Sequence, residues 1–570
     1  MMRILTSTLA ILALAAAACG GTLKTTGTSD GVIEDTHEDT AGDVEYDVDA
    51  PTDLPVEVEP DTEPDVEPDT VPDVPPDTAI DTPIDTAPDT PIDTALDTTI
   101  DTTPDTSIDT SIDTGVDTRP DVIEVVEIIE VVDLIEIEVS PDVVGCIPGT
   151  TRCSGGNLEV CRLDGSGYDS TPCPYGCLTT PAPAHCGVWE PSNIGMAIVD
   201  DGTQPFGPTN PEWTTGTTYV EIDADTGEIV GMTGTGSTTY TLRPAGTGLD
   251  SGSGIAFDTV AQPSGAPTIG VFSVTSVDIP TGTTVWVTGS NAFALASEGT
   301  VAIAGTLNCK GYFSGTSMTM YPGPGGAGAS AGPGAGGDGV EGGMDDGGGG
   351  GAGYGGAGGS SGPTGMGGTP GTTYGGVTLV PIWGGSGGGN GADNPGYGGP
   401  GGGACEIVSL ASISITGLVD AAGHGGEGGS AAYGIGGGGG GGGSGGGLLL
   451  EAPAVTVSGH VVANGGGGGS GAMTTSRAGE DGDRGNPNLT AALGGLSTGT
   501  GEVGCDGGNG NSSTAVAGGN CVCETGDDDG GGGGGGAGRI RVNGMTRTLS
   551  ITLSPAISTG VASEGPLPAT

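Results

Sequence analysis

The sequence predicts an all-β protein whose C-terminal part is a parallel β-helix, a solenoid with long glycine-rich insertions. A small disulfide-rich module and a disordered acidic tether precede it. Glycine supplies 124 of the 570 residues and aromatic residues only 4%, so much of the chain cannot build an ordinary packed core. Short apolar stretches that alternate at period two recur along the C-terminal half. Strand and helix patterns do not alternate, which disfavours barrel and dinucleotide-binding enzymes.

The chain is strongly acidic. It carries 71 acidic and 12 basic residues, a net charge of -59 at pH 7. Proteins bind nucleic acids through lysine and arginine contacts to phosphates, so we expect no nucleic-acid partner. A collagen triple helix is also excluded, because the glycines do not keep a strict period of three.

Residues 1–18 predict a secretory signal peptide, with a positive start at Arg3 and a short apolar run that ends in small residues. The run is too short to span a bilayer. The junction Ala16-Ala17-Ala18-Cys19 resembles a bacterial lipobox, although Ala16 stands where leucine is usual. The resemblance implies lipidation of Cys19, a membrane partner through that lipid, and a location at the outer membrane or cell surface. The alternative is an ordinary cleaved signal with an incidental cysteine.

Residues 19–145 predict a disordered acidic tether. From Asp61 to Asp121 an aspartate recurs at every fourth position, mostly in Asp-Thr-x-Pro or Asp-Thr-x-Ile units. Proline and like-charge repulsion keep such a chain extended at about 3.1 Å per residue, so the repeat could reach on the order of 190 Å. Calcium binding by the carboxylates and glycosylation of the threonines are the alternatives. A calcium site gathers its oxygen ligands in a tight turn, which favours a plain spacer.

Residues 146–186 predict a small module held by three disulfides. Its six cysteines are Cys146, Cys153, Cys161, Cys173, Cys177 and Cys186. The sequence does not determine how they pair. Zinc is disfavoured, because paired C-x-x-C knuckles are missing and an exported protein meets an oxidising compartment. The segment resembles cysteine-rich modules of myxobacterial and related deltaproteobacterial surface proteins, which implies an extracytoplasmic location.

Residues 187–570 predict a β-rich domain with a spaced repeat. One copy is Val301-x-Ile303-x-Gly305-x-Leu307-x-Cys309, and copies of the same alternation begin at Ile413 and Val455. Each copy is too short to bury its apolar face alone, so we expect equivalent copies to stack as rungs. Further members of the predicted repeat are Leu295, Ile407 and Leu449 six positions ahead of the copies, a looser copy from Ile540 through Leu549 and Ile551, and a half copy at Val285-x-Val287. An antiparallel sandwich is the alternative, disfavoured because it should show short hairpin turns.

Long glycine tracts separate the copies, in 323–403, 423–447 and 465–538. One interpretation is flexible loops on one side of the solenoid. The other is packed polyglycine helices, whose backbones approach closely and pair their N–H and C=O groups. The second interpretation resembles the glycine-rich sandwiches of some adhesin tips.

Three phrases carry a wider resemblance: Gly-Gly-Leu-Leu-Leu-Glu-Ala-Pro at 446–453, Val-Val-Ala-Asn-Gly at 461–465 and Gly-Arg-Ile-Arg-Val at 538–542. They resemble the glycine-rich β-helical regions of uncharacterised myxobacterial surface lipoproteins. The resemblance covers most of the chain, but its motifs are structural and imply no activity.

Five more cysteines lie in the β-rich domain. Cys309 aligns with Ala421 and Ala463 at an inward position for small residues, so we expect a free, buried thiol there. The remaining four are available for two disulfides that pin glycine tracts: Cys405, Cys505, Cys521 and Cys523.

We expect no cofactor and no metal site, apart from possible weak binding of Ca²⁺. The four histidines are not at metal-ligand spacing. Acidic clusters at 480–483 and 527–529 could bind calcium, although solubilising loops are the favoured interpretation. An enzyme on this fold would need converging carboxylates or a basic residue, and the candidates are Glu451, Asp420, Arg539 and Arg541.

The function predicted from the sequence is that of a non-enzymatic, lipid-anchored surface protein with a structural, adhesive or display role. The acidic stalk would hold the β-helix off the membrane. Surface glycans or the extracellular matrix are the expected partners. The alternatives are a carbohydrate-active β-helix enzyme, either a polysaccharide lyase or a hydrolase, and a calcium-stabilised matrix component.

Overall fold

The computed structural model describes residues 145–570 apart from 200, 235–237, 264, 315–318, 343–344, 364, 394, 432–435, 473–476, 498–503, 524–528, 551–552 and 569. The predicted signal peptide, Cys19 and the tether up to residue 144 lie outside the described residues. The described part is almost entirely β, without an α-helix and with single turns of 3-10 helix at Met196–Ile198 and Ile557–Thr559. Within it, no helix has the length and apolar character needed to cross a membrane.

The cysteine-rich module consists of short strands: β1 (Thr151–Ser154), β2 (Asn157–Cys161), β3 (Tyr168–Pro172), β4 (Cys177–Leu178) and β5 (His185–Cys186). Strands β1–β3 form an antiparallel sheet, and β4 pairs with β5. The disulfides are Cys146–Cys161, Cys153–Cys177 and Cys173–Cys186. These cross-links compensate for the small apolar core of so short a segment.

The remaining strands follow along the chain as β6 (Thr217–Asp223), β7 (Ile229–Thr233), β8 (Thr238–Arg243), β9 (Gly248–Leu249), β10 (Ala256–Val260), β11 (Ile269–Val274), β12 (Val277–Ile279), β13 (Thr284–Thr288), β14 (Ala292–Ser297), β15 (Val301–Ile303), β16 (Thr306–Asn308), β17 (Tyr312–Ser314), β18 (Thr319–Tyr321), β19 (Ala404–Ser409), β20 (Ser412–Ile415), β21 (Leu418–Asp420), β22 (Gly447–Glu451), β23 (Ala454–Val457), β24 (His460–Val462), β25 (Arg539–Asn543), β26 (Thr546–Leu549), β27 (Leu553–Ser554) and β28 (Ala562–Gly565).

Most of these strands belong to three sheets, here named A, B and C. The strand order is β28-β25-β22-β19-β14-β11-β10-β9 in sheet A, β12-β15-β20-β23-β26 in sheet B and β27-β24-β21-β16-β13-β6-β7-β8 in sheet C. From β11 onward, neighbouring strands within each sheet are parallel. The chain visits A, B and C in the same order repeatedly, from β11-β12-β13 to β25-β26-β27, and β28 returns to sheet A.

The predicted stacking of the repeat copies is confirmed by the strand register. Val301 lies beside Ile413, which lies beside Val455 in sheet B. In sheet C, Leu307, Val419 and Val461 are aligned in the same way. The alternating apolar residues therefore identify equivalent positions on successive strands.

Two details of the predicted alignment are wrong. Ile407 lies beside Leu450 rather than Leu449, because Val455 follows Leu450 by five positions, whereas Ile413 follows Ile407 by six. Val285 belongs to sheet C and lies beside Leu307, so it is not an equivalent of Val301. In the looser copy, Ile540 lies beside Leu448 in sheet A and Leu549 lies beside Val457 in sheet B, and Ile551 is outside the described residues.

One apolar cluster includes inward-facing residues of all three sheets, among them Leu295 from A, Ile303 from B and Leu307 from C. Sheet A is covered on its outer face as well, where Ala294, Val408 and Leu449 share a second cluster with Trp189 and Tyr354. Burial on both faces explains why β14 of sheet A is almost wholly apolar without alternation, whereas β20 of sheet B alternates.

The glycine tracts are packed, which decides between their two interpretations. In segment 347–354, successive N–H groups point to three different neighbouring segments, and the pattern repeats at every third residue. With N···O distances of 2.7–3.0 Å, these bonds run from Gly349 and Ala352 to Gly439 and Gly442, from Gly350 and Gly353 to Gly337 and Gly334, and from Gly348 and Gly351 to Gly362 and Gly359. A period of three is that of the polyproline II helix, whereas a strand has a period of two. The tracts are therefore packed polyglycine helices.

Glycine is required in the interior of this packing because the backbones lie in direct contact. A β-carbon on Gly441 would lie 2.0 Å from the Gly350 oxygen, and one on Gly351 would lie 1.9 Å from the Gly534 oxygen. Carbonyl groups of the same segment also accept hydrogen bonds, for example from the N–H of Gly389 to the Gly350 oxygen. Close approach thus lets buried backbone groups pair, which avoids the cost of leaving them unsatisfied.

The prediction of a free thiol at Cys309 is wrong, as is that of a disulfide at Cys521. Cys309 does point into the core with Ala421, but Cys405 of β19 points into the same core, and the two form a disulfide. Cys505 pairs with Cys523, which leaves Cys521 as the free cysteine of the described residues. Burial raises the pKa of the Cys521 thiol to about 11, so this thiol is protonated at neutral pH.

Gly441→Ala should destabilise the protein, because the added carbon would collide with the Gly350 carbonyl oxygen. Gly328→Ala is the matched control, since a β-carbon there would have no atom within 4 Å. We expect Gly441→Ala to lower the free energy of unfolding by about 1–3 kcal/mol, and Gly328→Ala to leave it unchanged or slightly higher. Denaturant unfolding measures both, and equal effects of the two substitutions would contradict the packing.

Candidate functional site

The structure does not bring all four candidate residues for an enzymatic site together, although Glu451 and Arg541 lie on adjacent strands and interact electrostatically. Glu451 lies in β22 of sheet A and Asp420 in β21 of sheet C, and both carboxyl groups are buried. Arg539 and Arg541 lie in β25, and hydrogen bonds hold both side chains. Arg539 Nε donates to the Tyr374 carbonyl at 3.1 Å, and Arg541 Nε donates to Asn543 Oδ1. The two carboxyl groups therefore do not form a pair that could flank one substrate bond.

Glu451 belongs instead to a buried carboxyl pair on the outer face of sheet A. Its partner is Glu406 of β19, which lies beside Leu449, two residues before Glu451. The segment 188–199, here named the strap, covers both. The N–H and Oγ of Ser192 donate to the two oxygens of Glu451 at 2.8 and 2.6 Å, and Asn193 Nδ2 donates to Glu406 Oε2 at 3.0 Å. The pair thereby fixes the strap on sheet A.

Burial raises the pKa of Glu406 well above its usual range, and the neighbouring Glu451 carboxyl adds to this rise. Glu406 therefore holds its proton to a higher pH than an exposed glutamate does. Sequence reasoning missed Glu406, although an acidic residue inside the otherwise apolar strand Ala404–Ser409 was an available signal. Both carboxyl groups are inaccessible to a solute beneath the strap.

The acidic clusters considered for calcium have other contacts. Asp481 Oδ1 accepts a hydrogen bond from the Gly428 N–H at 2.9 Å, and Asp529 is buried. Asp527 and Asp528 lie outside the described residues. Across the described ranges, no group of three or more His, Cys, Asp or Glu side chains could hold a metal ion.

Partly exposed aromatic rings gather on the outer face of sheet C. In β13, Val285 and Val287 point into the core, so Trp286 between them points outward. The Trp286 and Tyr312 rings meet edge to face with centroids 4.8 Å apart, and the Tyr312 and Tyr321 rings are stacked at 4.8 Å. Tyr312 and Tyr321 come from the antiparallel pair β17–β18. Trp286, Tyr312 and Tyr321 are here named the aromatic patch.

Polar groups border the aromatic patch. Lys310 Nζ lies 3.5 Å from Asp420 Oδ2 and 5.4 Å from the centre of the Trp286 ring. Burial raises the pKa of Asp420, and Lys310 opposes that rise. Asn308 lies between Trp286 and Asp420 in the sheet, and its buried Oδ1 has no hydrogen-bond partner within the described ranges. Of these polar side chains Lys310 is partly exposed, so the face can combine ring stacking with hydrogen bonding.

Sequence reasoning missed the aromatic patch because its residues come from three different strands and belong to no chemical motif. The scarcity of aromatic residues was the signal in the sequence that could have indicated the patch. Aromatic residues make up only 4% of the chain, yet Tyr312 and Tyr321 both follow one repeat copy at short distance.

Comparison of the chain with protein-family models, with curated proteins and with solved structures found no match. Function is therefore inferred from the geometry.

Glu406→Gln should remove part of the pH dependence of stability. Because burial raises the pKa of Glu406, the folded chain holds this proton more tightly than the unfolded chain, in which glutamate titrates near pH 4.3. The free energy of unfolding therefore falls as pH rises from about 4.3 through the raised folded pKa. Glutamine does not ionise, so this component disappears in the variant.

Urea unfolding at a mildly acidic and a mildly alkaline pH measures this component. The exposed Glu298, changed to Gln, is the control and should behave as the unsubstituted protein does. An unchanged pH dependence in Glu406→Gln would show that the buried pair does not titrate with folding.

Proposed function

We propose that sheets A, B and C are the three faces of one parallel β-helix, and that the chain is an exported, lipid-anchored surface lipoprotein with a non-enzymatic, adhesive role. The repeated order A, B, C, the parallel register and the shared apolar cluster support the β-helix. The signal-like N-terminus and Cys19 support lipid anchoring. The acidic tether would then hold the β-helix off the membrane.

The aromatic patch is the observation that carries the adhesive role. Tyr321 is 39% exposed, and Trp286 and Tyr312 are partly exposed, in a protein that buries most of its other large apolar side chains. Aromatic rings provide large contact areas and are enriched in binding interfaces. Partly exposed aromatic rings beside hydrogen-bonding groups suit the pyranose rings of sugars, whose faces are apolar and whose rims are polar. Surface or matrix glycans are the proposed partners.

The scaffold supports adhesion by holding this face rigid. Trp286 stands on a strand that is internal to sheet C, between β6 and β16. The Cys309–Cys405 disulfide links the chain just after β16 to sheet A. A surface that is ordered before binding loses less conformational entropy on contact, so a modest patch can bind with useful affinity.

Trp286→Ala should weaken binding of the purified mature protein to a printed array of microbial and matrix polysaccharides. Truncating an aromatic residue that contributes strongly to an interface costs about 1–3 kcal/mol, so we expect about a five- to 150-fold loss of affinity. Tyr321→Ala should act in the same direction. Tyr397→Ala is the matched control, because it removes an exposed tyrosine from a glycine tract instead.

Equal effects of Trp286→Ala and Tyr397→Ala, or no binding to any polysaccharide, would contradict the proposed adhesive role. Oligosaccharides released by the protein during the same incubation would instead favour a carbohydrate-active enzyme.

A further inference from the structure

A shallow groove of about 350 Å³ lies on the outer face of sheet C beside the aromatic patch. Its floor is a row of equivalent residues from neighbouring strands, namely Thr284, Thr306, Leu418 and His460. Thr284 lies two residues before Trp286 on β13, so both side chains are on the same face. Tyr219 of β6 is the next residue of the row beyond Thr284. The groove and the aromatic patch therefore form one continuous surface.

The groove is lined by small side chains and by groups that can form hydrogen bonds. Threonine side chains line it, and glycines at the strand corners, Gly282, Gly305 and Gly417, leave the backbone uncovered. The buried Nδ1 of His460 at the far end has no hydrogen-bond partner in the part of the chain that the structure describes. His460 as a whole is partly exposed and lines the groove, so its ring can form a hydrogen bond with a ligand hydroxyl there. Polar groups in such positions orient ligands in binding sites.

The shape of the groove suits an extended ligand. From Thr284 to His460 the row crosses neighbouring strands spaced about 4.8 Å apart, so it is about 14 Å long. All four strands are internal to sheet C and have both edges paired. An extended peptide therefore finds no free strand edge for backbone pairing there.

The charges near the groove favour a neutral ligand. Lys310 and Arg484 both act on the Asp420 carboxyl, and Glu221 lies beside Trp286 in the sheet register. Cations at this face are thus matched by carboxylates, and the whole chain has a net charge of -59. An anionic polymer would meet no excess of positive charge.

We infer that the groove and the aromatic patch form a single binding site for a neutral, linear polysaccharide that lies across the strands of sheet C. Sugar rings stack on Trp286 and Tyr219 at one end, and hydroxyl groups along the chain bond to Thr306 and His460. This inference rests on the proposed adhesive function and specifies its ligand class and its orientation.

Titration calorimetry of the full mature protein with cellohexaose, cellotriose and hexagalacturonic acid tests the inference. We expect cellohexaose to bind more tightly than cellotriose, because only the longer chain covers the whole row from Tyr219 to His460, which is four strand spacings or about 19 Å long. Binding should not depend on salt concentration, and the anionic hexagalacturonic acid should bind at least tenfold more weakly.

Thr306→Val removes one hydroxyl from the groove at nearly constant volume and should weaken cellohexaose binding about three- to tenfold. Thr456→Val is the matched control, since Thr456 is exposed on the outer face of sheet B. His460→Ala should reduce the advantage of cellohexaose over cellotriose. Unchanged melting temperatures verify that the variants fold.

The outcomes separate the inference from the proposed function. One outcome is that Trp286→Ala abolishes polysaccharide binding while Thr306→Val and His460→Ala bind as the unsubstituted protein does. This outcome would support the adhesive role of the aromatic patch and contradict binding in the groove. Tighter binding of hexagalacturonic acid, or of an extended peptide on the same face, overturns the ligand class. If no polysaccharide binds, both proposals fall.

Discussion

Backbone pairing between segments far apart in the sequence is the constraint on which this structure depends. In sheets A, B and C the pairing joins equivalent residues of successive repeat copies, such as Val301, Ile413 and Val455. In the glycine tracts it joins Gly349 to Gly439 and Gly439 to Gly530, again from successive insertions. The same requirement, that buried N–H and C=O groups find partners, is met at period two in the strands and at period three in the tracts.

The two kinds of pairing share one geometry because the tracts leave and re-enter the sheets at the same corner. The second and third tracts follow a strand of sheet C and lead back to a strand of sheet A, between β21 and β22 and between β24 and β25. The first tract follows β16 after the β17–β18 pair and leads to β19 of sheet A. Because the strands are stacked, the tracts that connect them are stacked as well. At the border, the Gly403 N–H donates to the Cys309 carbonyl at 2.7 Å, which links a tract directly to the end of β16. The glycine tracts are therefore part of the folded scaffold rather than appendages to it.

The sequence predicted the strands that are specified by a local, repeated pattern of apolar residues. Apolar alternation placed Val301, Ile413 and Val455 in register, because burial of one face leaves a single acceptable alignment. It failed at Leu449, because the spacing to the next strand is one residue shorter in this copy, which exchanges the inward and outward faces. Glycine has no side chain, so a glycine tract shows no sequence pattern that distinguishes a flexible loop from a packed helix. Only its contacts in the folded protein distinguish the two.

Cys309 was placed correctly in the core, but its partner Cys405 could be identified only from the three-dimensional path. The aromatic patch escaped for the same reason, because Trp286 and Tyr321 meet only after the strands are arranged.

Hydrogen exchange of individual amides tests most directly whether distant backbones pair. The N–H groups of segments 347–353 and 439–442 have carbonyl partners and lie in buried chain. We expect the N–H groups of these two segments to exchange as slowly as the N–H groups of strands β19 and β22. Exchange of these glycines at the rate of an unstructured peptide, while the strands stay protected, would contradict the pairing.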